Sequence, residues 1–304
     1  MNILIVGLGS IAIKHLKAID SLNIDTNIYA LRSKPDQIEE KNVHNIYEIN
    51  DLLIKPDFVI ISNPTASHAN TIIDLLKLNC PLFIEKPVLN NCLKANQISR
   101  LIKKNKIITY VACNMRFHPS IKFLKSYLET TKPNINEVNV YCGSYLPDWR
   151  EDIDFRKSYS SNPQMGGGVH LDLIHELDYC NWIFGSPNNM RSVKRSVSTL
   201  KISSADYANY NLLYDKFSLN LVLNYYRKDS KREIEIITEN DLIVVDLLKN
   251  TVINSDKTLF NKKYFIQDTY NDQMKYFISK ILKNEDPMNG FDEGVRILKL
   301  ALNE

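Results

Sequence analysis

The chain of 304 residues holds 44% hydrophobic and 24% charged residues and carries a net charge of +3. At roughly 150 residues per domain this is material for about two domains with a real core, and no disulfide or metal staple is required. The excess of base is too slight to point to a nucleic-acid or membrane partner, and the balance rules out an acidic disordered chain.

The apolar start MNILIVGLGSIAI lacks a basic lead and a small-residue cleavage site, so it reads as a strand, a turn and a helix rather than a signal peptide. The first third continues with short apolar runs separated by helix-period segments. Strands are expected at 3–6, 27–31, 58–62, 82–84 and 107–112, and helices at 11–22, 47–54, 65–78 and 91–104. Continuous apolar strands alternating with helices imply an α/β Rossmann-type, doubly wound parallel sheet covered on both faces. After Phe117 the pattern changes. A helix is expected at 118–130, an alternating strand at 137–145, a glycine run and helix at 166–184, then strands at 207–214, 218–226 and 233–238 and two closing helices at 269–283 and 292–302. The expected division is 1–117, a nucleotide-binding domain, and 118–304, an α+β domain with a large, mostly antiparallel open sheet. Cys80, Cys92, Cys113, Cys142 and Cys180 are odd in number and form no C-x-x-C pair, so a reducing, cytoplasmic setting is expected, with no resident metal. No apolar run approaches the 18 or so residues of a membrane helix.

Gly7-Leu8-Gly9-Ser10-Ile11-Ala12 follows the first strand and opens a helix. In such a turn Gly7 permits the tight bend and Gly9 the close approach of a pyrophosphate, which rests on the helix N-terminus at Ser10 and Ile11. At the end of the second strand, where NAD sites usually present an acid, the sequence has Arg32, Ser33 and Lys34, and no acid before Asp36. These groups suit a 2′-phosphate, so NADP(H) is expected in preference to NAD(H), although Arg32 could also be a loop charge stacked on adenine. Phe83-Ile84-Glu85-Lys86-Pro87 follows another expected parallel strand, which aims Lys86 at the crevice where such sheets bind ligands.

In their order, these features and three further segments resemble the glucose–fructose oxidoreductase / inositol dehydrogenase / rhizopine-catabolism (Gfo/Idh/MocA) family. The segments are Asn63-Pro64-Thr65-Ala66-Ser67-His68, Asn114-Met115-Arg116-Phe117, and Gly166 to Gly168 leading to Asp172, His175 and Asp178. From about Leu200 the likeness is architectural only. The resemblance implies an NAD(P)-dependent dehydrogenase or reductase of sugars, cyclitols or nucleotide-linked sugars, the last as in surface-glycan synthesis. It also implies a homodimer or homotetramer built through the second domain's sheet. Asn63, Pro64, His68, Glu85 and Lys86 would line the cofactor, Lys86 would bind the reacting hydroxyl, and His175 would move the proton with Asp172 beside it. The spacing Asp172-Leu-Ile-His175 is one residue shorter than the family's usual one, which leaves Asp178 as a rival partner for the imidazole; the i, i+3 pair would still share a helix face. Arg116, Trp149 and Arg150 are candidate sugar contacts, since aromatic rings cover sugar faces and Arg pairs with acidic groups. A non-catalytic dinucleotide- or sugar-binding regulator on the same fold is the alternative.

Overall fold

The computed structural model describes residues 1–33, 40–150 and 154–304. They divide into two compact units, Met1–Asn114 with Ile266–Leu298, and Met115–Phe265 with Lys299–Glu304.

The first unit runs β1 (Asn2–Val6), α1 (Ser10–Asp20), β2 (Asn27–Leu31), β3 (Val43–Ile46), β4 (Phe58–Ile61), α2 (His68–Leu75), β5 (Leu82–Ile84), α3 (Ala95–Asn105) and β6 (Thr109–Val111). The strands form one parallel sheet in the order β3-β2-β1-β4-β5-β6. β4 and β5 are buried along their whole length, as apolar runs covered on both faces must be. The order reverses between β1 and β4, and ligands bind beyond the carboxyl ends of strands at such a switch point. Gly7 leaves β1 there and Ser62-Asn63 leaves β4.

The second unit runs α4 (Pro119–Thr131), β7 (Ile135–Tyr145), α5 (Val169–Asp172), α6 (His175–Phe184), β8 (Asn189–Arg195), β9 (Tyr207–Leu213), β10 (Ser218–Asn224), β11 (Tyr226–Thr238), β12 (Leu242–Asp246), β13 (Thr251–Asn254) and β14 (Lys257–Asn261). The eight strands lie in the order β14-β13-β12-β11-β7-β10-β9-β8, antiparallel except where β7 meets β10. β9 and β10 alternate buried and half-buried residues, the signature of a sheet with one covered face. The expected α/β plus open-sheet architecture is therefore the observed one.

The chain closes with α7 (Ile266–Leu282) and α8 (Phe291–Leu302). Sequence reading placed both in the second domain, yet residues 266–298 belong to the first unit. The reason is the apolar stripe of α7. Phe277 packs edge-on to Phe58 and Phe83, both at 5.3 Å, and Gln267 Nε2 donates to the Lys14 carbonyl at 3.1 Å. Burying each such ring contributes about 2–3 kcal/mol. The expected helix at 47–54 is only a three-residue turn, Ile49–Asp51, preceded by the unforeseen strand β3. β3 is an edge strand that buries only Ile46, so its apolar signal is weak.

Candidate active site

Gly7 has φ 84°, in the left-handed region, and a Cβ there would stand 2.7 Å from the Asn63 Cα, so glycine is required on both counts. Ser62 Oγ donates to the Gly7 carbonyl at 2.8 Å and locks the ends of β1 and β4 together. Gly9 caps α1 with no side-chain hydrogen bond, and a Cβ on it would meet nothing within 4 Å. The first N–H groups of α1, from Ser10 and Ile11 onward, therefore open onto free space beside a partial positive charge. That arrangement fits a dinucleotide pyrophosphate.

At the end of β2, Arg32 is buried rather than extended: its N–H donates to the Ile46 carbonyl at 2.9 Å and Nη1 to Asn45 Oδ1 at 3.3 Å. Ser33 is exposed, and Lys34 and Asp36 lie outside the described residues. Asn63 donates through Nδ2 to Thr71 Oγ1 at 2.8 Å, while its Oδ1 is buried without a hydrogen-bond partner among the described residues. Pro64 is exposed beside it. His68, expected to line the cofactor, is instead a fully buried strut. Nδ1 faces the Pro87 and Val88 carbonyls at 3.1 and 3.2 Å, and Nε2 faces the Asn63 carbonyl at 3.0 Å. Burial holds its pKa below the ordinary imidazole value. It ties the segment after β4 to the turn after β5.

That turn carries Glu85 and Lys86. Glu85 is 6% exposed, and its two oxygens are both used. Oε1 faces His15 Nε2 at 2.6 Å, and Oε2 accepts the Lys86 backbone N–H at 3.1 Å. Lys86 itself is half-buried at the carboxyl end of β5.

In the second unit the glycine run lets two stretches of chain touch. A Cβ on Gly167 would lie 2.0 Å from the Tyr159 carbonyl oxygen. α5 follows as a single turn and ends at Asp172; Leu173 interrupts it, and α6 begins at His175. Asp172 and His175 therefore do not share one continuous helix face, as the i, i+3 spacing suggested. Tyr225 donates its hydroxyl to the Asp172 carboxylate and fixes its direction. Burial first, then the Asp172 charge, push the Tyr225 phenol well above its ordinary pKa, so it remains a donor. His175 is half-buried at the head of α6.

Arg116 and Asp178 are found paired with each other. The guanidinium Nε and Nη2 fork onto the two Asp178 oxygens at 2.9 and 2.7 Å, with both side chains at most 1% exposed. Sequence reading gave Arg116 to the sugar and left Asp178 as a rival partner for His175; the structure brings the two together in one buried ion pair. The other acid in the first turn of α6, Glu176, is fully buried on Arg232 of β11 at 2.6 Å. Trp149 stands half-exposed, donates Nε1 to Ser144 Oγ at 2.9 Å, and sets its ring edge-on to Tyr225 at 5.3 Å; Arg150 is exposed next to it. Trp149, Tyr225 and Asp172 thus form one connected series.

His15, Tyr225, Glu176 and Arg232 were missed in the sequence. His15 left a signal, since a histidine on the apolar face of a helix needs a buried partner. Tyr225 and Arg232 left none, because their partners lie 53 and 56 residues away.

Residues 1–113 match the model described as "Oxidoreductase family, NAD-binding Rossmann fold", GFO_IDH_MocA. Myo-inositol 2-dehydrogenase of Thermotoga maritima is 24% identical over 99% of this chain and 94% of its own. Among solved structures, UDP-N-acetylglucosamine 3-dehydrogenase GnnA from Acidithiobacillus ferrooxidans superposes with TM-score 0.79 at 18% identity, over 100% of this chain and 96% of that one. A levoglucosan dehydrogenase complexed with NADH and levoglucosan gives 0.85 at 14% identity, over 99% and 95%. The N-terminal 113 residues thus match the model of the Gfo/Idh/MocA oxidoreductase family, and the chain as a whole shares the fold of these dehydrogenase structures.

Proposed function

We propose that the chain is a cytoplasmic NAD(P)-dependent dehydrogenase or reductase. It moves a hydride between the nicotinamide and a secondary alcohol or ketone of a sugar, cyclitol or nucleotide-linked sugar. One observation carries this reading: the uncapped turn at Gly9 and the Glu85-Lys86 turn, whose backbone is held by its own carboxylate, both lie beyond the carboxyl ends of strands of the same parallel sheet, the first at its switch point. When bound, the nicotinamide supplies the two-electron acceptor or donor. Gly7, Gly9, Ser10, Ile11, Asn63 and Pro64 hold the dinucleotide, and Arg32 and Ser33 favour NADP(H) over NAD(H), since no carboxylate among the described residues ends β2. Lys86 hydrogen-bonds the reacting oxygen and stabilises alkoxide charge. His175 takes the proton in oxidation and returns it in reduction, with Asp172 as the neighbouring carboxylate. Trp149 and Arg150 contact the sugar, and the second unit's sheet pairs copies of the chain into a homodimer or homotetramer.

The test is hydride transfer, followed by nicotinamide absorbance, from NADPH and NADH and to their oxidised forms across polyols, sugars and UDP-sugars. Turnover with at least one class is expected, with NADP(H) the better cofactor. Tight dinucleotide binding with no turnover of any class would move the reading to the regulatory alternative. Lys86→Met is expected to lower turnover about 10³-fold while NADPH affinity holds within about threefold. Near-normal turnover would remove Lys86 from the chemistry.

A further inference from the structure

We infer that His15 is a positioning residue for Lys86, holding the Glu85 carboxylate in place and so tying helix α1 to the backbone of that lysine. The inference rests on the proposed role of Lys86.

His15 lies six residues beyond the Gly9 cap, about 9 Å along α1, on the helix whose N-terminus fits the pyrophosphate. Its ring is fully buried, edge-on to Phe83 at 4.9 Å and to Tyr270 of α7 at 5.8 Å. Nδ1 is buried with no hydrogen-bond partner among the described residues, so the ring's polar commitment is the 2.6 Å contact of Nε2 with Glu85 Oε1. A bare buried polar atom carries its full desolvation penalty. For packing alone, leucine or phenylalanine would fill this site at lower cost. The compensation is on the far side of the carboxylate, where Oε2 accepts the Lys86 N–H at 3.1 Å. Glu85 has an oxygen for each side. With the His15 donor gone, the carboxylate is free to turn away and Lys86 loses its backbone anchor. Misplacing a reacting group by about 1 Å costs on the order of 10²-fold in rate, so a strut of this kind bears on catalysis without touching substrate.

The experiment follows the Lys86 backbone amide by NMR, in the protein as purified and with NADPH added. In the native chain the amide is expected to be shifted downfield and protected from exchange, and to move when NADPH is added. In His15→Leu, protection is expected to fall about tenfold and the NADPH response to vanish, while the Gly9 and Ser10 amides still respond. His15→Gln, which keeps a donor near the Nε2 position, should restore both. His15→Asn, too short to reach, should behave like leucine and covers the case in which the leucine variant does not fold. An unchanged Lys86 amide in the leucine or asparagine variant, or a glutamine variant as impaired as leucine, would overturn the inference. Failure of the catalytic reading shows separately, as normal turnover in Lys86→Met, and failure of the dinucleotide site as silent Gly9 and Ser10 amides.

Discussion

No side chain caps α1 or α6, but the first turn of α1 holds no acid, whereas that of α6 holds Glu176 and Asp178, which pair with Arg232 and Arg116. Both are helix N-termini, and both favour negative charge by the same dipole. One carries no acid of its own to meet that preference. The other carries two carboxylates in its first turn and pairs them with arginines. Polar residues in a motif can therefore build a site or build the frame under it, and the difference lies in what they are paired with.

If the Arg116–Asp178 pair is frame, breaking it should destabilise the fold first and affect catalysis only through that. Arg116→Met takes the guanidinium fork away from the buried Asp178 carboxylate, and should cost about 3–5 kcal/mol in urea unfolding. Replacing both, Arg116→Met with Asp178→Leu, should recover most of that loss. A stable single variant with a raised KM would instead return Arg116 to the substrate.

The second unit also holds two imidazoles that resist charge. Burial, assisted by Arg232 for His118 and by Lys194 for His170, pushes both pKa values down to about 4 from 6.5. Between those values the unfolded chain binds protons that the folded one refuses. The stability these groups contribute is complete above 6.5 and is lost as pH falls toward 4, by on the order of 2–3 kcal/mol each. The urea midpoint should thus fall from about pH 7.5 to about pH 5, and His170→Phe should flatten the fall. A midpoint independent of pH over that range would contradict the burial of both rings.

Smaller effects probe the open end. Arg32→Asp should weaken NADPH binding about tenfold, or roughly 1.4 kcal/mol, and spare NADH; equal losses for both would leave Arg32 as a packing residue on Asn45. Trp149→Ala should raise KM about threefold to tenfold and leave kcat within about twofold, as loss of a stacking surface does; unchanged kinetics would remove that loop from the substrate.

The first unit was legible in the sequence because its chemistry follows its strands. An apolar run predicts β1, β4 or β5, and the residues just past each run lie beyond the carboxyl end of the sheet, so the placing of Gly7, Asn63 and Lys86 needed no tertiary knowledge. His68 shows the limit: it lies in the right segment, but nothing local says that its ring turns inward to three carbonyls. The second unit was legible in outline from alternation in β7, β9 and β10. Its pairings were not. Asp178 looked like a partner for His175 by spacing along the helix, and only the fold brings Arg116, 62 residues away, onto it. Likewise α7 reads as an amphipathic helix from sequence, while the face that receives it, Phe58 and Phe83, is set by the sheet.

The most direct measurement is calorimetric titration of the nucleotide-free protein with NADPH and with NADH. Binding of both, with NADPH the tighter, is the result expected from the open α1 terminus and the end of β2. Tighter NADH would keep the site and discard the part given to Arg32. No binding of either would contradict the central claim, that the turn from Gly7 to Ile11 is built to hold a nicotinamide dinucleotide.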